Sequence, residues 1–173
     1  MKIPIGMEDG QDNLIAQKVK GAYPDCFIGA TLFRGDLSIH IEKSAILPIC
    51  RFLHDDPEID FDYLIHITSV DNPSVAARFE VVYELFSIRK KHQVRMKARL
   101  SESDCEIDSV TSIWKGAEFL EREVYDMMGI RFHGHPNLKR ILLPDEYCEG
   151  YPLRKDFPVE GRGWRDTFAF LDT

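Results

Sequence analysis

Arg78-Phe79-Glu80-Val81-Val82-Tyr83-Glu84-Leu85-Phe86-Ser87-Ile88, the basic turn Arg89-Lys90-Lys91-His92, and Val94-Arg95-Met96-Lys97-Ala98-Arg99-Leu100 decide the fold. In the last of these, Val94, Met96, Ala98 and Leu100 alternate with Arg95, Lys97 and Arg99. A period of two marks a half-buried strand. The first arm reads as a longer strand over 78–88. Toward its end Val82, Phe86 and Ile88 join Val81, Tyr83 and Leu85, so a central place in a sheet is expected. Antiparallel pairing about the turn sets Glu84 opposite Lys97. Such a pair adds only about 0.2–1 kcal/mol, and its use is to disfavour register slips. The row Arg95, Lys97, Arg99 could face phosphate. It has no interleaved aromatics, and the plainer reading is the polar face of a strand.

Upstream, Phe61, Tyr63, Ile65 and Ile67 alternate with Asp62, Leu64, His66 and Thr68, predicting a strand over 61–68 that places the first set on one face. Asp71-Asn72-Pro73-Ser74 reads as a turn. Residues 44–54 fit a helix through Ile46, Ile49, Cys50 and Leu53. Pro48 there marks either a later start or a kink. Residues 26–33 and 37–41 form a hairpin about Arg34-Gly35-Asp36. That tripeptide reads as a turn, not an adhesion motif. A helix over 12–20 carries Leu14, Ile15 and Val19, with Gly21 as its stop.

Downstream, Asp108-Ser109 caps a short helical turn through Trp114. A helix covers 116–128, with Ala117, Leu120, Val124, Met127 and Met128 as its buried stripe. Glu118 and Arg122, and Arg122 and Asp126, stand four apart. Gly129 is a natural stop. After residue 130 periodicity vanishes. Residues 131–165 hold four prolines and four glycines, yet also Phe132, Leu138, Ile141, Leu142, Leu143, Tyr147, Tyr151, Leu153, Phe157 and Trp164. Those anchors need burial, either across a neighbouring subunit, ordering on assembly, or on the chain's own domain. The division expected is an α+β domain over 1–130 and an extended tail over 131–173.

The chain has 173 residues and a net charge of -7, which argues against a general nucleic-acid binder. Charge is uneven. Residues 101–130 hold two basic and eight acidic side chains, and 131–165 hold seven basic and five acidic. The tail's arginines therefore seek partners, inside the protein or on a neighbour. No stretch of about 18 apolar residues exists, so no membrane span is expected. Met1-Lys2-Ile3-Pro4-Ile5-Gly6 lacks the apolar core of a signal peptide. Cys26, Cys50, Cys105 and Cys148 lie far apart and read as thiols in a reducing compartment.

Candidate chemistry is sparse. His133 and His135 stand as HxH, but no third ligand follows at a metal-site spacing. Glu121 and Glu123 do not face each other on a helix, and Arg122 is ready to neutralise a neighbour, so an acid–base pair is not expected. No GxGxxG follows a strand and no GxxxxGK[ST] exists. Gly161-Arg162-Gly163 could nest an anion, though a glycine-rich turn is plainer. Cys148 is flanked by Asp145, Glu146 and Glu149, which oppose a thiolate. The positive finding is charge set among anchors. Lys139-Arg140 precede Ile141-Leu142-Leu143, and Pro152-Leu153-Arg154-Lys155-Asp156-Phe157-Pro158 places charge between apolar residues and prolines. That composition suits an interface.

Glu121-Arg122-Glu123-Val124-Tyr125-Asp126-Met127-Met128-Gly129-Ile130, followed by His135, Lys139, Ile141 and Leu142, resembles the signature of the 30 kDa subunit of respiratory complex I, the C subunit in bacteria. Gly150-Tyr151-Pro152-Leu153-Arg154-Lys155-Asp156-Phe157-Pro158 resembles the second hallmark of that family. Ser109-Val110-Thr111-Ser112-Ile113-Trp114 and Gly116-Ala117 look like it too. The resemblance is strong over about 108–161. Leu143-Pro144-Asp145-Glu146-Tyr147-Cys148-Glu149 departs from the pattern in being more acidic, with an extra proline, and the end from Gly163 is not placed on it.

The resemblance implies an α+β fold of two layers, helix-β-β-helix-β-β-β-helix, with a mixed sheet. The pass along the chain gives that same order. It implies a non-catalytic subunit of the peripheral arm, without cofactor or metal, in an enzyme that passes electrons to quinone and pumps protons. FMN and iron–sulfur clusters would lie in other subunits. The tail would dock on the 49 kDa-like subunit, near the subunit holding the terminal iron–sulfur cluster. Attachment to the membrane would be only through the complex, on the cytoplasmic side of the inner or plasma membrane. Glu121, Arg122, Glu123, Tyr125, Asp126, His135, Lys139, Arg140, Pro152, Leu153, Arg154, Lys155, Asp156, Phe157 and Pro158 would be scaffold and interface residues. The expected split is that helix residues hold the tail and tail residues hold the partner.

Overall fold

A computed structural model describes residues 7–163, so Met1–Gly6, Trp164 and the end of the chain lie outside the described residues. The order is β1 (Met7–Asp9), α1 (Leu14–Ala22), β2 (Phe27–Phe33), β3 (Asp36–Ile41), α2 (Ile46–Asp55), β4 (Tyr63–Asp71), β5 (Phe79–Ser87), β6 (His92–Leu100), β7 (Glu106–Asp108), α3 (Ala117–Met128) and β8 (Arg131–His133). Six strands form one sheet in the order β1-β2-β3-β6-β5-β4. β3 and β6 run parallel and the other neighbours antiparallel, so the sheet is mixed. The fold is the α+β arrangement expected. The expected order omits β1 and the short parallel ribbon β7-β8. Because β8 continues past residue 130, paired to β7, the regular structure runs beyond that boundary.

The core lies between one face of the sheet and the helices. Phe79, Val81, Tyr83 and Leu85 of β5 and Met96 and Ala98 of β6 meet Ile15 and Val19 of α1 and Ile46, Ile49, Cys50 and Leu53 of α2. β5 is an interior strand, as its composition suggests, though Ile88 lies beyond it and is exposed.

Three local readings are corrected, and the alternatives at Pro48 resolve to the later helix start. The hairpin of β5 and β6 pairs Glu84 with Arg95, and Lys97 faces Val82. Arg95 bridges Glu84 at 3.3 Å and Asp36 at 2.9 Å, while Lys97 and Arg99 both reach Glu80. The basic row is thus answered within the sheet. In β4 the register shifts between Leu64 and His66. That irregularity moves Leu64 inside and leaves Tyr63 and Ile65 exposed. α1 starts at an Asn13 cap and runs through Gly21, which therefore is not its stop. A 3-10 turn over Lys43–Ala45 precedes α2, so Pro48 falls in the helix's first turn, where its missing N–H costs nothing.

Candidate functional site

α3 follows Gly116 and ends at Gly129, whose φ of 76° is the left-handed conformation that favours glycine. The Tyr151 ring lies where a Cβ on Gly129 would sit. Ala117, Val124 and Met128 face the core as expected. Leu120 and Met127 are only partly buried, and two carboxylates, Glu121 and Asp126, are buried instead.

Glu121 receives the Ser109 hydroxyl at 2.6 Å and the Val110 N–H at 2.7 Å. Burial outweighs both and pushes its carboxyl up to about 7. It has no exposed surface, and it ties the 109–110 turn to the helix.

Asp126 does different work. Its Oδ2 accepts the N–H groups of Ile141, Leu142 and Leu143 at 2.8–3.0 Å, and its Oδ1 accepts Arg140 at 2.7 Å. Burial pushes the carboxyl up, but the hydrogen bonds from Leu143, Ile141, Arg140 and Leu142 together bring it below its ordinary value. One turn earlier, Arg122 donates to the carbonyls of Lys139 at 3.1 Å and Arg140 at 2.7 Å. It forms neither of the helix pairs predicted with Glu118 and Asp126. His135 donates from Nε2 to the Glu118 carbonyl at 3.0 Å and accepts the Asn137 N–H at Nδ1. α3 thus carries residues 135–143 as a strap along one side. Glu123 and Tyr125 are half-buried on the same helix.

The strap continues onto the sheet. Arg140 lies over the ring of Tyr147, which is itself buried. Leu153 donates its N–H to the Met127 carbonyl, and Arg154 its Nε to the Met128 carbonyl at 2.8 Å. The Arg154 guanidinium lies between the rings of Phe79 and Tyr151, 4.8 and 4.6 Å from their centroids. The Lys155 N–H reaches Asp71, and Asp156 pairs with Arg78 at 2.9 Å. Arg162 lies over Phe157, and the Gly161 N–H closes on the Pro158 carbonyl. Pro152 is half-buried. So Arg154 and Asp156, which the expected split assigned to a partner, make these contacts inside the chain. Of the residues holding the strap, Asp71 and Arg78 were missed. Asp71 reads as a turn residue and Arg78 as a strand start. The available signal was an acid and an arginine at the two ends of one hairpin loop.

The remaining candidates stay apart. His133 is exposed, 3.5 Å from Asp108. Arg162 donates to the Glu149 carbonyl. Among the described residues no group of three His, Cys, Asp or Glu is arranged to hold a metal ion, and no helix is long and apolar enough to cross a membrane.

Residues 39–163 match the family model for the 30 kDa subunit of the respiratory-chain NADH dehydrogenase. The C subunit of the NADH-quinone oxidoreductase of Roseiflexus castenholzii is 43 % identical over 145 residues, covering 84 % of this chain and 83 % of the relative. The C subunit from Geobacter sulfurreducens is 38 % identical over 152 residues, covering 87 % and 92 %. Among solved structures, the trypsin-resistant fragment (1-134) of Nqo5 matches with a TM-score of 0.50 and 32 % identity, covering 60 % of this chain and 83 % of that one. A chain of the membrane-bound sulfane sulfur reductase, an archaeal respiratory membrane complex, matches with a TM-score of 0.70 and 25 % identity, covering 84 % of each. With the second hallmark segment tied to the end of the helix that carries the first, and with relatives this similar along most of its length, the chain belongs to the family of 30 kDa subunits, or C subunits, of the respiratory-chain NADH–quinone oxidoreductase.

Proposed function

We propose that this chain is a peripheral, non-catalytic scaffold subunit in the quinone-reducing module of a complex I-type enzyme. Its C-terminal segment, 131–173, docks on the 49 kDa-like subunit, close to the subunit with the terminal iron–sulfur cluster. Electron transfer to quinone and proton translocation then belong to other subunits, as do FMN and the clusters. The chain would sit on the cytoplasmic side and meet the membrane only through the complex.

One observation carries this reading. The strap is held by its backbone and its arginines, and it leaves apolar side chains outside. Ile141, Leu142, Leu153 and Val159 are 36, 59, 57 and 102 % exposed. The carboxylate of Asp126 gathers the three N–H groups of 141–143, which sets those side chains away from it. Several exposed apolar residues on a hydrogen-bonded, non-periodic segment suit a protein interface better than a free loop. The Nqo5 fragment supports a body separable from the rest of its chain, since residues 1-134 of that protein resist trypsin.

The likeness to an archaeal respiratory complex favours a second reading, in which the chain serves a related membrane enzyme of different chemistry. The neighbouring large subunit decides first. Two cysteine pairs holding nickel and iron would mark a hydrogenase, and in their absence the acceptor reduced by the purified complex, quinone or sulfane sulfur, separates the two remaining enzymes.

The test is a gentle-detergent pull-down of a tagged chain from membranes, with every co-purifying subunit identified by mass spectrometry. The 49 kDa-like and cluster-bearing subunits are expected. Recovery of the chain alone would defeat the docking reading.

A further inference from the structure

Four consecutive tail residues are each bonded to a different place on the domain. Leu153 is held by the Met127 carbonyl, Arg154 by the Met128 carbonyl, Lys155 by Asp71 and Asp156 by Arg78. The last two holders form a pair. Asp71 ends β4 and Arg78 precedes β5. The Asn72 N–H donates to the Arg78 carbonyl at 2.9 Å and closes the loop between them. Arg78 donates Nε and Nη2 to the two Asp71 oxygens at 2.7 and 2.8 Å, a two-pronged fit that only a planar guanidinium makes. The Asp71 side chain has no exposed surface. Arg78 also reaches Glu102 at 3.1 Å, and Arg154 reaches the same carboxylate at 3.4 Å.

A hairpin loop needs no buried ion pair to close. A buried pair is poor value as stability alone, because apolar residues of similar volume do as well. What it supplies here is a fixed register. The segment 151–157 lies in no strand or helix, so its register rests on single contacts, the Met127 and Met128 carbonyls for 153–154 and this pair for 155–156. Both residues are buried in the chain itself and offer a partner almost no surface.

We infer that Asp71 and Arg78 are positioning residues for subunit docking, clipping 153–156 in one register so that the outward apolar row is set before a partner arrives. This rests on the docking reading above. A preset segment has less freedom to lose on binding. Weakening the clip should therefore weaken assembly without touching the interface.

The test has two independent arms. In the first, amide hydrogen exchange is followed on the isolated full chain. The Lys155 amide should exchange at least about tenfold more slowly than those of Val159 and Glu160. Arg78→Lys keeps the charge and loses the fork, and Asp71→Asn loses the charge and turns one of the two accepting oxygens into an N–H donor. Each should bring Lys155 to within about threefold of Val159. A wild-type Lys155 amide as fast as Val159, or one unmoved by both substitutions, overturns the clip. Should these two variants fail to fold, Asp156→Asn leaves the Asp71–Arg78 pair intact, and it should still speed Lys155 exchange by about threefold. No change there counts equally against the clip. In the second arm, the tagged Arg78→Lys chain is used for the membrane pull-down. Recovery of the largest partner subunit should fall at least about fivefold, while the melting temperature of the chain shifts by only a few degrees. Full recovery with the strap released would overturn the positioning role. A wild-type chain that recovers no subunit would sink the docking reading, and the exchange arm would still judge the clip.

Discussion

Glu121 shows how burial and hydrogen bonding divide one residue's behaviour. Two donors favour its charged form, yet enclosure wins and the carboxyl is pushed up to about 7. The unfolded chain releases that proton near the ordinary value of 4.5. Between the two values the folded state binds more protons than the unfolded one. The contribution of this group is therefore complete below about pH 4.5 and is lost as pH rises through about 7. Over the whole window the loss is on the order of 3 kcal/mol. Glu121→Gln should flatten that dependence. Its amide can accept the Val110 N–H and donate to Ser109, whose hydroxyl can turn to accept. Urea unfolding at pH 5, 6, 7 and 8 checks it, and a Gln variant with the wild-type slope would show that another group carries the effect. Gly129 makes a second point at this scale. Gly129→Ala meets both the left-handed backbone and the Tyr151 ring. A loss of roughly 1–2 kcal/mol from the backbone alone is expected, with a lower melting temperature and freer exchange around Tyr151.

At the scale of elements, α3 works as a rail for the strap through Asp126. Asp126→Asn replaces a charged acceptor of four bonds by an amide oxygen and adds a donor facing donors. The expected cost is about 1.5–3 kcal/mol, read as a lowered unfolding midpoint and faster exchange of the 141–143 amides. In the native protein this carboxyl lies below its ordinary value of 3.8, so its contribution is present above that pH and fades as pH falls through the lower folded value. The sheet and helices are legible in the sequence because they repeat. Alternation over 79–100 and the spacing of Ala117, Val124 and Met128 locate β5, β6 and α3 within a residue or two. Repetition also misleads where it breaks. The shift between Leu64 and His66 inverts part of β4, and no local residue announces it. The β5–β6 register was two residues off because the turn uses Lys91 at a φ of 56°, a conformation that its composition does not signal. The strap is illegible for a different reason. Its holders are single polar contacts between residues far apart in sequence, Asp126 with 141–143 and Asp71 with 155, and no period links them. The arginines and anchors of 138–158 pointed to a binding segment, but not to which surface they bind.

For the whole molecule, the uneven charge now has a structural answer. The acidic block 101–130 and the basic tail meet within the chain, in Arg140 on Asp126, Arg154 on Glu102 and Arg122 on the strap's carbonyls. The strap's half-buried Arg140 and Arg154 are therefore engaged internally, and its exposed side chains are the apolar Ile141, Leu142, Leu153 and Val159 beside charged ones such as Lys139, Lys155 and Glu160. Docking through the apolar set would depend on burial of Leu142 and Leu153 and little on salt, whereas docking through the neighbouring charges would depend on salt. The double variant Leu142→Ser, Leu153→Ser removes two exposed side chains, so the isolated chain should unfold within about 0.5 kcal/mol of wild type. Its recovery of partner subunits in the pull-down should fall at least tenfold, which is about 1.4 kcal/mol of lost binding, a modest demand on two leucines that each bury on assembly. A parallel wash of the wild-type complex in about 0.5 M salt, where screening reaches only a few ångströms, should leave the chain bound. If salt strips the chain while the double variant stays attached, docking runs through the exposed charges of Lys139, Lys155 and their neighbours, and the apolar row has no part in it.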